Sequence, residues 1–236
     1  MSGAARALAG VVLAVAAAGC GGGEDQLTVS AAASLKPAFE RFGGDGVRLS
    51  FGGSDQLAAQ IRAGAAPDVF AAANEELARE LHREGLVERP VRFARNRIVV
   101  AVPASGGRVR RFGDLAKPGT RIAAGSASVP VGDYARRAIA RLPQAHAIEA
   151  NLASDEPDAA AVIGRVRSGA VDAGFVYETD VEAAGGLRPV ELPVTVEAAY
   201  AAAVVRGSEH AAEAREFVRG LRAGPGRSAL DEAGFR

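Results

Sequence analysis

One local plan occurs twice at the start of the globular part of this chain: a short apolar strand, a few small residues, a serine, then a helix-forming run. Residues 27–42 (LTVSAAASLKPAFERF) carry it with Ser34 at the junction, and residues 47–61 (VRLSFGGSDQLAAQI) carry it with Ser54 there. A serine between strand and helix is a natural N-cap, because its side-chain oxygen accepts a bond from the first helical turn. The remaining unpaired N–H groups of that turn, with the positive end of the helix dipole, form an anion site. The Ala and Gly residues before each serine let a ligand approach the backbone. Neither junction holds a Lys or Arg between strand and serine. The pattern therefore fits a small oxyanion held by dipoles, and it fits ordinary helix capping equally well.

Downstream segments extend the alternation. Leu35, Ala38, Phe39 and Phe42 mark one helix face, and Leu57, Ala58 and Ile61 mark the next. Residues 68–72 (DVFAA) read as a strand. Asn74 is placed to cap a helix over 75–84, with Glu75 and Glu76 in its first turn and Gly85 past its end. Residues 98–102 (IVVAV) form the apolar run of a strand buried on both faces. A second block follows, with helices expected over 112–117, 132–142 and 158–168 and strands over 121–124 and 171–177. Residues 196–205 (VEAAYAAAVV) read as a core strand returning to the first block, and residues 213–221 as a closing amphipathic helix. Strands alternating with helices predict an α/β fold with a mostly parallel sheet. The expected architecture is two lobes, 27–100 with 200–236 and 101–199, joined by a hinge of two crossing segments. Ligands of such folds sit between the lobes, near the C-terminal ends of strands.

The first residues are set apart from this fold. Arg6 precedes an apolar stretch at 7–18 (ALAGVVLAVAAA) that is shorter than the about 20 residues a bilayer span needs. Residues 1–19 therefore read as a signal peptide. The stretch ends in Ala17-Ala18-Gly19-Cys20, and Cys20 is the sole cysteine of the chain. Small residues before one cysteine resemble a bacterial lipobox, which implies lipidation of Cys20; Ala17 stands where that motif usually has leucine. Residues 20–26 then serve as a linker from the anchor. The 28 basic and 28 acidic residues balance, and no long run of one sign occurs, which argues against nucleic acid as a partner.

The assembled segments resemble the extracytoplasmic molybdate-binding proteins of bacterial ABC importers. The resemblance is carried by AAASL at 31–35, FGGSDQLAAQI at 51–61, APDVFAA at 66–72, NRIVVAVP at 96–103, VPVGDY at 129–134, GFVYETD at 174–180 and the terminal Gly234-Phe235. It implies a two-lobed periplasmic-binding-protein fold that captures molybdate or tungstate and passes it to an ABC permease in the membrane. It also implies a monomer, lipid-anchored on the periplasmic side of the cell membrane. By that resemblance the ligand contacts fall on Ser34 and Ser54, through their hydroxyls, on Val131 and Ala159, through backbone N–H groups, and on Tyr177, through its phenol. No cofactor and no protein-ligated metal cation is implied, since the bound species is itself a metal oxyanion. Two positions depart from the pattern: Asp55, directly after Ser54, and Glu156-Pro157-Asp158 before Ala159.

Donors alone suit a fully deprotonated oxyanion, which offers only acceptors. Phosphate or sulfate is the alternative ligand; Asp55, if it faced the site, would favour protonated phosphate. An enzyme acting on an anionic substrate is the alternative class. Against it, the chain has no GxSxG, no P-loop and no GxGxxG opening a helix, and His82, His146 and His210 lack metal-ligand spacing. Asp133, Asp155, Asp158, Asp172, Glu178 and Asp180 read as helix and turn caps. Arg92, Arg95 and Arg97 read as a solvated basic face.

Overall fold

The computed structural model describes residues 26–44 and 46–236. The leader, Cys20 and all but the last residue of the expected linker lie outside them.

Three parallel strands build the first half. β1 (Leu27–Ala32) lies between β2 (Val47–Gly52) and β3 (Val69–Ala72), with Val29 opposite both Leu49 and Val69. A single 3-10 turn at Ala33–Leu35 leads into α1 (Lys36–Phe42); α2 (Ser54–Arg62) and α3 (Glu75–Arg83) follow β2 and β3. α3 starts where expected, with the Asn74 side chain accepting from Glu76 N–H at 2.8 Å. It is followed by Gly85 at φ 78°, a left-handed conformation that glycine adopts without strain.

The next strand, β4 (Val91–Pro103), is much longer than the apolar run that announced it. Beyond it come β5 (Ile122–Gly125), α4 (Pro130–Ile139), α5 (Ala145–Ala150), β6 (Leu152–Glu156), α6 (Ala159–Arg167), β7 (Ala173–Tyr177), α7 (Glu178–Ala184) and β8 (Leu187–Val190). Here β5 is the middle strand, parallel to β6 and β7. The chain returns through β9 (Glu197–Val204) and closes with α8 (Ala211–Gly220) and α9 (Pro225–Glu232).

All of these strands join one sheet, in the order β2-β1-β3-β9-β4-β7-β5-β6, with β8 also on β4. The sheet is mixed, not mostly parallel: β9 on β3, and β4 on β7, β8 and β9, are antiparallel. The reason lies in the crossings. β4 and β9 travel between the halves in opposite senses, so each runs against its neighbours. β4 pairs with β9 over residues 91–97 and with β7 over 98–101, so one strand belongs to both halves.

Helices cover both faces. On one face of the first half, Phe39 of α1 meets Phe217 of α8 edge-on, with ring centroids 5.6 Å apart, and Phe42 lies 4.8 Å from the same ring. Burying each large side chain is worth about 1.5–3 kcal/mol. On the other face, Leu57 and Ile61 of α2 and Leu81 of α3 pack on Phe70 and on Ala201 and Ala203 of β9. In the second half, Val162 and Val166 of α6 pack with Val99 of β4 and Val176 of β7.

The three arginines near the start of β4 do not form an unopposed basic face. Arg92 pairs with Glu75, Arg95 with Glu197, and Arg97 with Glu178 and Glu191.

Candidate functional site

The C-terminal ends of β1, β2 and β7, with the residues that follow β3 and β6, line a small cavity between the halves. Ser34, Ser54, Val131, Ala159 and Tyr177 all line it. Every one is less than a tenth exposed.

Neither serine caps its helix, contrary to the sequence expectation. Ser34 lies inside the 3-10 turn, and Ser54 is the first residue of α2, after Gly53. Both oxygens are engaged in tertiary bonds instead. Ser54 Oγ accepts from Ala73 N–H at 3.1 Å, and Ser34 Oγ lies 2.9 Å from the Tyr200 hydroxyl. With its oxygen occupied by a main-chain donor, Ser54 has its own hydrogen free for the cavity. First-turn residues of α2, α4 and α6 line the same space, and first-turn N–H groups have no intrahelical acceptor.

Tyr177 ends β7. Its hydroxyl is buried and has no hydrogen-bond partner in the protein. Burial, with the neighbouring Tyr200, Tyr134 and Asp180, holds its pKa well above the ordinary phenol range, so it stays a neutral donor at physiological pH. Behind it, burial pushes the Asp180 carboxyl up to about 7 against the bond it accepts from Tyr177 N–H, and Asp158 adds to the rise.

No Lys or Arg lines this cavity among the described residues; Asp158 is its one charged lining side chain. Asp158 caps α6 by accepting from Ala161 N–H at 2.8 Å, as its position before the helix implied. Asp133, Asp155, Asp172 and Glu178, also expected as caps, instead pair with Arg137, Arg136, Arg121 and Arg97. Asp55 is not among the lining residues. One of its carboxylate oxygens is buried without a partner beside Gly53, in the first turn of α2.

Two glycines set how closely the walls approach. A Cβ on Gly53 would stand 2.8 Å from the Pro157 carbonyl of the opposite half, so the halves touch here because neither side chain intervenes. A Cβ on Gly132 would fall 1.9 Å from Ser126 O, so the N-terminus of α4 reaches this position only with glycine.

Sequence reasoning missed the polar residues behind the site. Tyr200 was read as part of an apolar core strand, and Asn96 and Thr179 carried no signal of their own. Asn96 Nδ2–H donates to Thr179 Oγ1 at 2.8 Å, and Asn96 Oδ1 accepts from Arg97 N–H.

The molybdate-binding protein ModA of Mycobacterium tuberculosis is 35% identical to this chain over 226 residues, covering 90% of this chain and 85% of that one. The periplasmic molybdate-binding protein of Azotobacter vinelandii superposes with a TM-score of 0.79 at 22% identity, covering 89% of this chain and 99% of that one. The sulfate-binding protein SubI of Mycobacterium tuberculosis gives 0.79 at 20% identity, covering 90% of this chain and 87% of that one. These two structures share the periplasmic-binding-protein fold of this chain, in which β4 and β9 are the strands that cross between the halves. The bacterial extracellular solute-binding protein family matches residues 27–236, the whole of the folded chain described above, and the chain belongs to that family.

Proposed function

We propose that this protein captures molybdate or tungstate between its lobes outside the cytoplasm and delivers the ion to an ABC permease. The observation that carries the reading is the Tyr177 hydroxyl, buried at the cavity wall with no protein partner. An unpaired buried hydroxyl costs about 1–3 kcal/mol, and an anion in the cavity would relieve it.

The other donors converge on the same space: the Ser34 and Ser54 hydroxyls and the first-turn N–H groups at Val131 and Ala159. Each hydrogen bond to a charged ligand is worth about 1.5–3 kcal/mol, and several are needed to offset removal of a dianion from water. Phosphate, whose proton needs an acceptor, is the second reading: Asp158 lines the cavity and only its Oδ1 is engaged, with Ala161 N–H, whereas Asp55 does not line the cavity. Nothing in the cavity is arranged as a nucleophile beside a base, so the reading is capture and release without chemistry. Lobes at 27–100 with 200–236 and at 101–199, an anchor at Cys20 after cleavage of residues 1–19, and a monomeric state complete it.

Calorimetric titration with molybdate, tungstate, sulfate and phosphate tests the reading. Molybdate and tungstate should bind far more tightly than the other two. Tightest binding by phosphate would overturn it, and tightest binding by sulfate would move the assignment to a smaller ion.

A further inference from the structure

The wall that α4 gives to the cavity, Val129 to Val131, carries no charge, yet an arginine of the same helix is bonded to the turn that builds it. Side chains on a helix lean toward its N-terminus. Arg136 does so. Its Nη1 donates to Gly125 O, at the end of β5, at 2.7 Å, and to Gly132 O, in the first turn of α4, at 3.3 Å. Its Nη2 donates to Asp155 Oδ1 on β6 at 2.7 Å. One guanidinium thus ties together the end of β5, the start of α4 and the strand that leads to the α6 wall.

The backbones at this turn meet without an intervening side chain. A Cβ on Gly125 would stand 2.7 Å from Gly132 N, and a Cβ on Gly132 would fall 1.9 Å from Ser126 O and 2.3 Å from Gly125 O. Two carbonyl oxygens therefore crowd the residue that follows Val131, at the helix start that lines the cavity. Their partial negative charge, just behind a wall that receives an anion, opposes binding. Both are taken by donors: Ser126 O by Val129 N–H at 3.1 Å, and Gly125 O by the full positive charge of Arg136. Pro130 has no N–H, so Val131 and Gly132 hold the first donors that α4 offers. The countercharge is the more solvated member of the ion pair. The Asp155 side chain is 62% exposed against 33% for Arg136, so water screens the carboxylate more than the guanidinium.

We infer that Arg136 is a positioning residue: it holds the β5–α4 turn in register and sets a positive charge behind the Val131 wall, so that a cavity without lining cations still prefers doubly charged oxyanions. The inference rests on the oxyanion reading above but concerns the source of the charge preference.

The test titrates Arg136→Met, Arg136→Lys and Asp155→Asn with molybdate and, by competition against molybdate, with perrhenate, a tetrahedral metal oxyanion of similar size and single charge. Arg136→Met should weaken molybdate about tenfold and perrhenate less, so the ratio of affinities falls, because the lost charge acts twice on a dianion. Arg136→Lys keeps the charge but loses the planar fork, so it should weaken both ions by one common factor and leave the ratio at its wild-type value. Asp155→Asn leaves both carbonyl bonds of Arg136 in place and removes the opposing charge; molybdate should bind as in wild type or up to about threefold more tightly. If Arg136→Met fails to fold, Arg136→Gln serves: its amide can donate to one carbonyl oxygen without charge, and the same ratio should fall. Wild-type affinity in folded Arg136→Met, or equal losses for both ions, would overturn the inference. So would a loss in Asp155→Asn as large as in Arg136→Met, an outcome read on molybdate alone. Absence of molybdate binding by the wild-type protein would instead overturn the functional reading.

Discussion

Tyr177 is the residue whose role is easiest to isolate. Its hydroxyl makes no bond within the protein, so Tyr177→Phe removes the proposed ligand contact without orphaning a partner. Calorimetry should show molybdate bound about 10- to 150-fold more weakly, with the melting temperature unchanged or raised. Asp180 gives a second expectation, from its carboxyl pushed up to about 7 by burial, with Asp158 adding and the Tyr177 N–H bond opposing. A dianion nearby raises that value further, so binding takes up a proton. Affinity should therefore fall as pH rises through 7, by at most about tenfold per pH unit, and Asp180→Asn should flatten the profile. At this scale the sequence was half legible. The serines and Tyr177 stood at recognisable junctions, and Val131 and Ala159 came through the resemblance alone, because a backbone donor leaves no mark on side-chain identity. The Tyr200 contact was hidden: one tyrosine in VEAAYAAAVV looks like core until the fold brings Ser34 beside it.

Among the elements, α3 was the most legible. It had a cap, acids in its first turn and a glycine past its end, and the structure bears out all three. Asn74→Ala should lower stability by about 1 kcal/mol, read by urea denaturation, and leave ligand affinity unchanged. β6 was missed because LASDE has no apolar face to read; it is held by its ladder to β5 and by Arg165 on Glu156. The start of β4 was missed for a related reason. Its arginines broke the apolar run, although paired acids on neighbouring elements let them sit on a strand. The serines misled as caps because the same short side chain serves either a local or a distant donor, and only the fold shows that Ala73 and Tyr200 are near.

For the whole molecule, alternation of strand and helix was enough to place two α/β units and two crossings, since each unit needs helices on both sheet faces to bury its strands. It did not disclose strand direction at the crossings, which depends on how the halves meet. Ligand should draw the lobes together, and small-angle scattering should show a smaller radius of gyration with molybdate than without; an identical profile at saturation would argue for a rigid cavity. The crossings also determine how such motion is resisted. β4 and β9 are not slack tethers; they are laddered to each other from Val91 opposite Ala202 to Arg97 opposite Glu197, with an irregularity between Arg92 and Ala94. Bending between the lobes must twist that ribbon over several residues at once, so it behaves as a torsion spring whose relaxed posture is written in its register. Ion release is then tuned by stiffness in the ribbon as well as by contacts at the ion, and a substitution along it could change residence time without touching the cavity.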